Sequence, residues 1–219
     1  MDVADIKFRS LTDQIYEHLT ELIIEGKIKP GEKLVEKDLS EKFSVSRSPL
    51  RECFRILEAE GLITINPRKG AYVRDFSKKD VEDIFVLRAT LEALAGRLAV
   101  QNITEKEIIT LGDLITRMDE AITKGNAKSY YELNILFHNS LIKASNNELL
   151  EKTLKTLRKG IWLRVIFLYY YSPSALNASN NKHKGIVEAL KEKDPVSVGR
   201  LIEEHIEHTK EHVLSQLPV

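Results

Sequence analysis

"VSRSPLRECFRILEAEGLI", residues 45–63, carries two patterns at once. At about 100° per residue, a helix over this stretch gathers Leu50, Cys53, Phe54 and Leu57 into one apolar stripe. Arg47, Arg51 and Arg55, spaced four apart, fall within about 80° of one another and roughly 110° from that stripe. One face packs and another presents guanidinium groups. Pro49 suits the first turn of such a helix and Gly61 stops it.

The flanking residues complete a unit. Leu11, Ile15, Leu19, Leu22 and Ile23 recur at helical spacing between Leu11 and Glu25, and "GKIKPGEKL" ends that helix. "VEKDLSEKF" predicts a short second helix, "SVS" a break, and the third helix runs from about Ser48 to Glu60. "LITINPRKGAYVRDF" predicts two short strands around the turn Pro67-Arg68-Lys69-Gly70. Three helices and a β-hairpin within residues 1–75 make a winged helix-turn-helix. From Lys78 onward only helical periodicity remains, in segments at 79–101, 104–123, 127–145, 147–170, 174–192 and 195–215. "NIT" and "DPV" supply helix starts. Residues 76–219 therefore read as an all-helical second domain, and the fold class is mainly α.

The 33 basic and 33 acidic residues create no global field, so an anionic partner must be attracted by a local patch. One cysteine, Cys53, excludes an internal disulfide and a thiolate metal cluster, and its place on the apolar stripe marks it as core filler. No export signal is read at "MDVADIKFRS", and "IWLRVIFLYYY" is too short to span a bilayer and contains Arg164. A cytoplasmic protein without membrane insertion is expected.

Residues 44–74 hold six Lys or Arg against Glu52, Glu58 and Glu60, whereas residues 1–75 hold 13 basic and 14 acidic residues. The charge is placed on the helix and wing. One reading pairs the arginines with those three glutamates on a solvated face. The other puts the helix start in the major groove of double-stranded DNA, where arginine bonds guanine edges or phosphates. Arg68 and Lys69 at the hairpin tip then reach phosphate or the minor groove, and Ser46 and Ser48 cap the helix or bond phosphate. Arg55, further from the helix start and close to Glu52 and Glu58, contacts phosphate or pairs internally.

"LVEKDLSEKFSVSRSPLRECFRILEAEGLITINPRKGAYV" resembles the amino-terminal domain of GntR-family bacterial transcription regulators. The resemblance covers the "G-x-I-x-P-G-E-x-L" loop, the "VSRSPLRE" turn and helix, and the "R-x-G-A-Y-V" wing. It implies that Arg47 and Arg51 read bases or phosphates, that Lys37 touches the backbone, and that Gly70 lets the wing tip approach the duplex.

Five of the six histidines lie in the helical domain: His138, His183, His205, His208 and His212. Asn134 and His138 share a helical face, and two other helices bring further imidazoles. Three imidazoles with an amide or carboxylate oxygen make a nitrogen and oxygen site for zinc or a similar divalent ion. "DIFVLRATLEALAGRLAV", "LNILFHNSLIKASNNELL" and "HKGIVEALKEKDPVSVGRLIEEHIEHT" are similar to the FCD effector domain of the FadR subfamily. That resemblance implies a metal held by Asn134, His138, His183 and His205, with zinc the first candidate and nickel the second. Asn134 stands where an aspartate is usual, which exchanges an anionic ligand for a neutral amide oxygen. His18, His208 and His212 read as surface residues.

A cationic site built from neutral ligands suits an anionic effector, here a small carboxylate. Arg88 is the candidate for a second contact to it, or else pairs with Glu92 one turn on; Arg158 and Arg164 are lesser candidates. The leading expectation is a homodimeric, ligand-responsive repressor on a palindromic operator. A metal-dependent hydrolase using the three histidines, with Glu188 or Glu204 as base, is the alternative. A helical adaptor is a third, but leaves the arginine face unexplained.

Overall fold

A computed structural model describes residues 10–24, 26–75, 77–158 and 173–217. They fall into two compact units, one up to Asp75 and one after it.

In the first unit, α1 (Leu11–Ile24), α2 (Glu36–Phe43) and α3 (Arg47–Ala59) are followed by the strands β2 (Ile63–Asn66) and β3 (Gly70–Val73). Ser44 takes a left-handed φ of 54° and ends α2, setting the turn into α3. Ile15 and Leu19 of α1 pack on Leu50, Cys53, Phe54 and Leu57 of α3, with Leu39, Ile63 and Val73 closing the core. Cys53 is fully buried there, and burial pushes its thiol up to about 12, so it is an inert packing residue.

The sheet has one strand more than the sequence predicts. β1 (Lys33–Leu34) pairs antiparallel with β3, giving the order β1-β3-β2. Two residues carry no periodicity, and the strand exists because distant backbone groups reach it: Val73 N donates to Glu32 O and Gly31 N to Val73 O, each at 2.9 Å. At the wing tip Arg68 is left-handed with φ 64°, and Gly70, with φ 106°, begins β3.

The second unit comprises α4 (Lys78–Asn102), α5 (Glu105–Thr123), α6 (Ala127–Ala144), α7 (Glu148–Arg158), α8 (Pro173–Lys191) and α9 (Pro195–Gln216). Their starts are locally encoded. Ser77 with Asp80 and Thr104 with Glu107 form reciprocal capping boxes, and Asp194 accepts from Val196 N and Ser197 N ahead of Pro195 at the first helical position. α4 lies across α9 at Gly96, where a Cβ would stand 2.2 Å from Ile202 Cδ1 and 3.0 Å from Val198 Cγ1. The expected helix 147–170 is seen as α7; its remainder and Arg164 lie outside the described residues. No helix among the described residues is long and apolar enough to cross a membrane.

Candidate nucleic-acid interface and metal centre

Arg47, Ser48, Arg51 and Arg55 are exposed on α3, as are Ser46 before it, Lys37 on α2, and Arg68 and Lys69 at the wing tip. Among the described residues, Glu52 and Glu58 of α3 and Glu60 at its C-cap form no ion pair with the arginines of the helix. Glu52 accepts from Thr12 Oγ1 at 3.1 Å, Glu58 accepts from Ile65 N at 2.8 Å, and Glu60 accepts from the Tyr16 hydroxyl. These carboxylates fasten α3 to α1 and to the hairpin. The Tyr16 phenol is raised well above its ordinary range by burial first and by Glu60 second.

Arg51 is held from outside its own helix. Its Nε lies 3.0 and 2.9 Å from the two Glu36 oxygens and its Nη2 2.9 Å from Oε2, so the first residue of α2 aims the guanidinium. Lys37 pairs loosely with Glu41 at 4.0 Å. Ser46 occupies the N-cap position of α3, but its side chain makes no capping hydrogen bond, contrary to the capping role the sequence offered. Gly70 is half-buried. A Cβ there would meet Lys33 Cε at 3.1 Å, so its space is taken by the Lys33 stem. Lys33 opposes Tyr72 in the sheet and lays its ammonium 5.7 Å from that ring's centroid. Sequence reading missed Lys33, because β1 is made by pairing and not by pattern.

In the helical unit, packing brings together His138 of α6, His183 of α8 and His205 of α9, all buried. His205 Nε2 lies 3.2 Å from both His183 Nε2 and His138 Nε2. Each of two rings is anchored through its other nitrogen. His138 Nδ1 lies 3.0 Å from Glu92 Oε2, and His183 Nδ1 lies 3.3 Å from Asn180 Oδ1. Burial, and then the neighbouring imidazoles, push His183 and His205 well below the usual imidazole range. Burial lowers His138 too, against the opposing pull of Glu92. Lowered values favour the neutral imidazole, the form that can offer a ring-nitrogen lone pair to a cation.

That donor set fits a divalent cation. A separation of 3.2 Å suits nitrogens about 2.0–2.1 Å from a shared ion at a near-tetrahedral angle. Asn134, one turn before His138 on α6, is buried and its Oδ1 accepts no hydrogen bond among the described residues, leaving a neutral oxygen donor available.

Of the two roles the sequence left open for Arg88, the structure forms the ion pair. Its Nε is 2.9 Å from Glu92 Oε1, with both side chains buried. Arg158 is buried as well, 4.0 Å from Glu92 Oε1 and donating to Asn139 Oδ1 at 2.9 Å; burial lowers it to about 10. Burial alone would raise the Glu92 carboxyl, but Arg88, Arg158 and His138 hold it well below the usual carboxylate range. Two guanidinium groups and one carboxylate are thus buried together beside His138. Sequence reading saw Glu92 only as a partner for Arg88, since contact with His138 depends on how α4 meets α6.

Glu188 and Glu204, the bases the hydrolase alternative needs, are exposed and paired with Lys191 and Arg200 at 2.7 Å, away from the buried cluster. His18 is exposed, as expected, but His208 and His212 are half-buried, because they flank the buried Thr209 and Val213 on α9.

Residues 11–73 match the model for "Bacterial regulatory proteins, gntR family", and residues 83–208 match the FCD domain. An uncharacterised HTH-type transcriptional regulator of Bacillus subtilis strain 168, YdhC, is 32% identical over 201 residues, 91% of this chain and 89% of that protein. The HTH-type transcriptional repressor RspR of Escherichia coli strain K12 is 30% identical over 203 residues, 93% of this chain and 89% of that protein. The solved structure of E. coli McbR/YncC superposes with a TM-score of 0.78 at 26% identity, over 94% of this chain and 98% of that one.

Proposed function

The chain belongs to the GntR family of bacterial regulatory proteins, as a DNA-binding transcription regulator with an FCD domain and not an enzyme, and we propose that it is a metal-dependent, acid-responsive repressor. It acts as a cytoplasmic homodimer on a palindromic operator. Arg47 and Arg51 reach base edges or phosphates, and Lys37, Ser46, Ser48, Arg55, Arg68, Lys69 and Gly70 line the path of the backbone. The similarity to a protein named a repressor supports the sense of regulation. The observation that carries the DNA reading is the division of labour on α3 and its C-cap, whose glutamates hydrogen-bond α1 and the hairpin while its arginines stay exposed.

In the helical unit, Asn134, His138, His183 and His205 hold a divalent metal, zinc before nickel. A metal held there would supply a coordination position for a small carboxylate effector, with Arg88 beside Glu92 the candidate for a second contact to it. Effector and DNA then alter each other's affinity by the same factor.

Selection of duplexes from a randomised pool, followed by binding titrations, tests the first part. Arg47→Ala should weaken the selected duplex by about 1–3 kcal/mol, and an unchanged affinity sinks the assignment. Elemental analysis with native mass spectrometry tests the second: a dimer carrying about one metal ion per chain is expected, and metal-free chains after purification in zinc-supplemented buffer would count against it.

A further inference from the structure

Asn180 of α8 lies beside the histidine cluster, and its own hydrogen bonds fix the orientation of its amide. It is 0% exposed. Its Nδ2 donates to the Ile115 carbonyl at 3.1 Å and to Asp119 Oδ1 at 2.7 Å, both on α5. Those two acceptors fix which end of the amide is which, so Oδ1 must be the atom that faces His183 Nδ1 at 3.3 Å. An amide oxygen only accepts, which makes Nδ1 the protonated nitrogen of His183 and leaves Nε2 as a lone pair aimed at the other imidazoles. Asp119 is anchored in turn. Its Oδ2 lies 2.9 Å from Lys184 Nζ, the residue after His183, with both side chains partly exposed. A chain of contacts therefore runs from a surface ion pair to the ring of one candidate ligand.

We propose that Asn180 is a positioning residue for the metal centre, selecting the His183 tautomer that can ligate, and that Asp119 holds Asn180 in that role. The inference rests on the reading of His138, His183 and His205 as metal ligands. Without the Asn180 acceptor, the Nδ1–H proton has no partner and the tautomer with Nε2 protonated is no longer disfavoured. That form points an N–H, not a lone pair, at the ion.

The experiment uses the full-length chain in three forms: wild type, Asn180→Ala and Asp119→Ala. Nitrogen-15 NMR of the imidazoles without metal reports the His183 tautomer, zinc competition against a chromophoric chelator reports affinity, and melting without metal reports stability. The wild type should show the Nδ1–H form, and Asn180→Ala should lose it together with about 10–100-fold in zinc affinity. Asp119→Ala should shift both in the same direction by less, and decides the matter if Asn180→Ala does not fold. A variant that melts earlier but keeps the wild-type tautomer and zinc affinity overturns the proposal in favour of a structural role. Zinc uptake absent from the wild type overturns the metal centre itself, a result distinct from a wild type that binds zinc and an Asn180→Ala variant that binds it equally well.

Discussion

Arg51 and Lys33 show how a single side chain acquires its role from a neighbour far away in sequence. Arg51 is gripped by Glu36, which holds an exposed guanidinium in one direction and raises its affinity for its proton through those hydrogen bonds. Lys33 is brought to the wing by β1, its stem filling the space over Gly70. If its ammonium meets phosphate, Lys33→Ala should weaken DNA binding about equally for all sequences and reduce the slope of log K against log salt by about 1. A salt slope equal to that of the wild type sinks the contact. Asn134 invites the opposite kind of change. Its Oδ1 is buried with no hydrogen-bond donor among the described residues, so Asn134→Asp puts an anionic oxygen where a neutral one stands. Zinc affinity should rise by at least about tenfold, because direct attraction to the ion outweighs the cost of burying one charge beside it. Weaker binding measured with a competing chelator would place Asn134 outside the ligand set.

At the scale of elements, the helices of both units are specified by short-range chemistry. α3 puts its apolar residues on one side at helical spacing, and α5 begins where Thr104 and Glu107 satisfy each other's backbone donors. The Thr104 backbone N–H first, and its hydroxyl second, hold the Glu107 carboxyl below its usual range. A carboxylate with a depressed folded-state value contributes stability that is present above its unfolded value, near 4.5, and is lost as pH falls through the folded value. Thr104→Ala should cost about 0.5–2 kcal/mol at neutral pH and flatten the acid limb of the stability curve below about pH 4.5. Urea titrations at pH 7 and pH 4 check both parts. An unaltered difference between the two pH values would show that the box does not couple to protons.

For the whole molecule, the helical unit brings α6 together with the consecutive helices α8 and α9 so that three imidazole Nε2 atoms converge, an arrangement that a cation would stabilise. A metal that binds only the folded state adds about 2.7 kcal/mol at a hundredfold excess over its dissociation constant. Zinc should therefore raise the melting temperature of the helical unit by several degrees, and a chelator should reverse the rise. A melting curve indifferent to both contradicts the metal centre.

What was legible in the sequence is what is decided over one or two helical turns. The apolar stripes, the stops at Gly61 and Ser44, the caps at Thr104 and Asp194 and the exposed arginines of α3 all follow from spacing and local hydrogen bonds. The residues of the histidine cluster were named there too, three of them through family resemblance as much as spacing. Tertiary structure alone decided the rest. Glu36 meets Arg51, Glu92 meets His138, Asn180 meets Asp119, and β1 finds β3, because each pair joins elements whose approach is set by how apolar faces pack. Side-chain partners are chosen at distances of about 3 Å, whereas periodicity in a chain specifies only which face a residue is on.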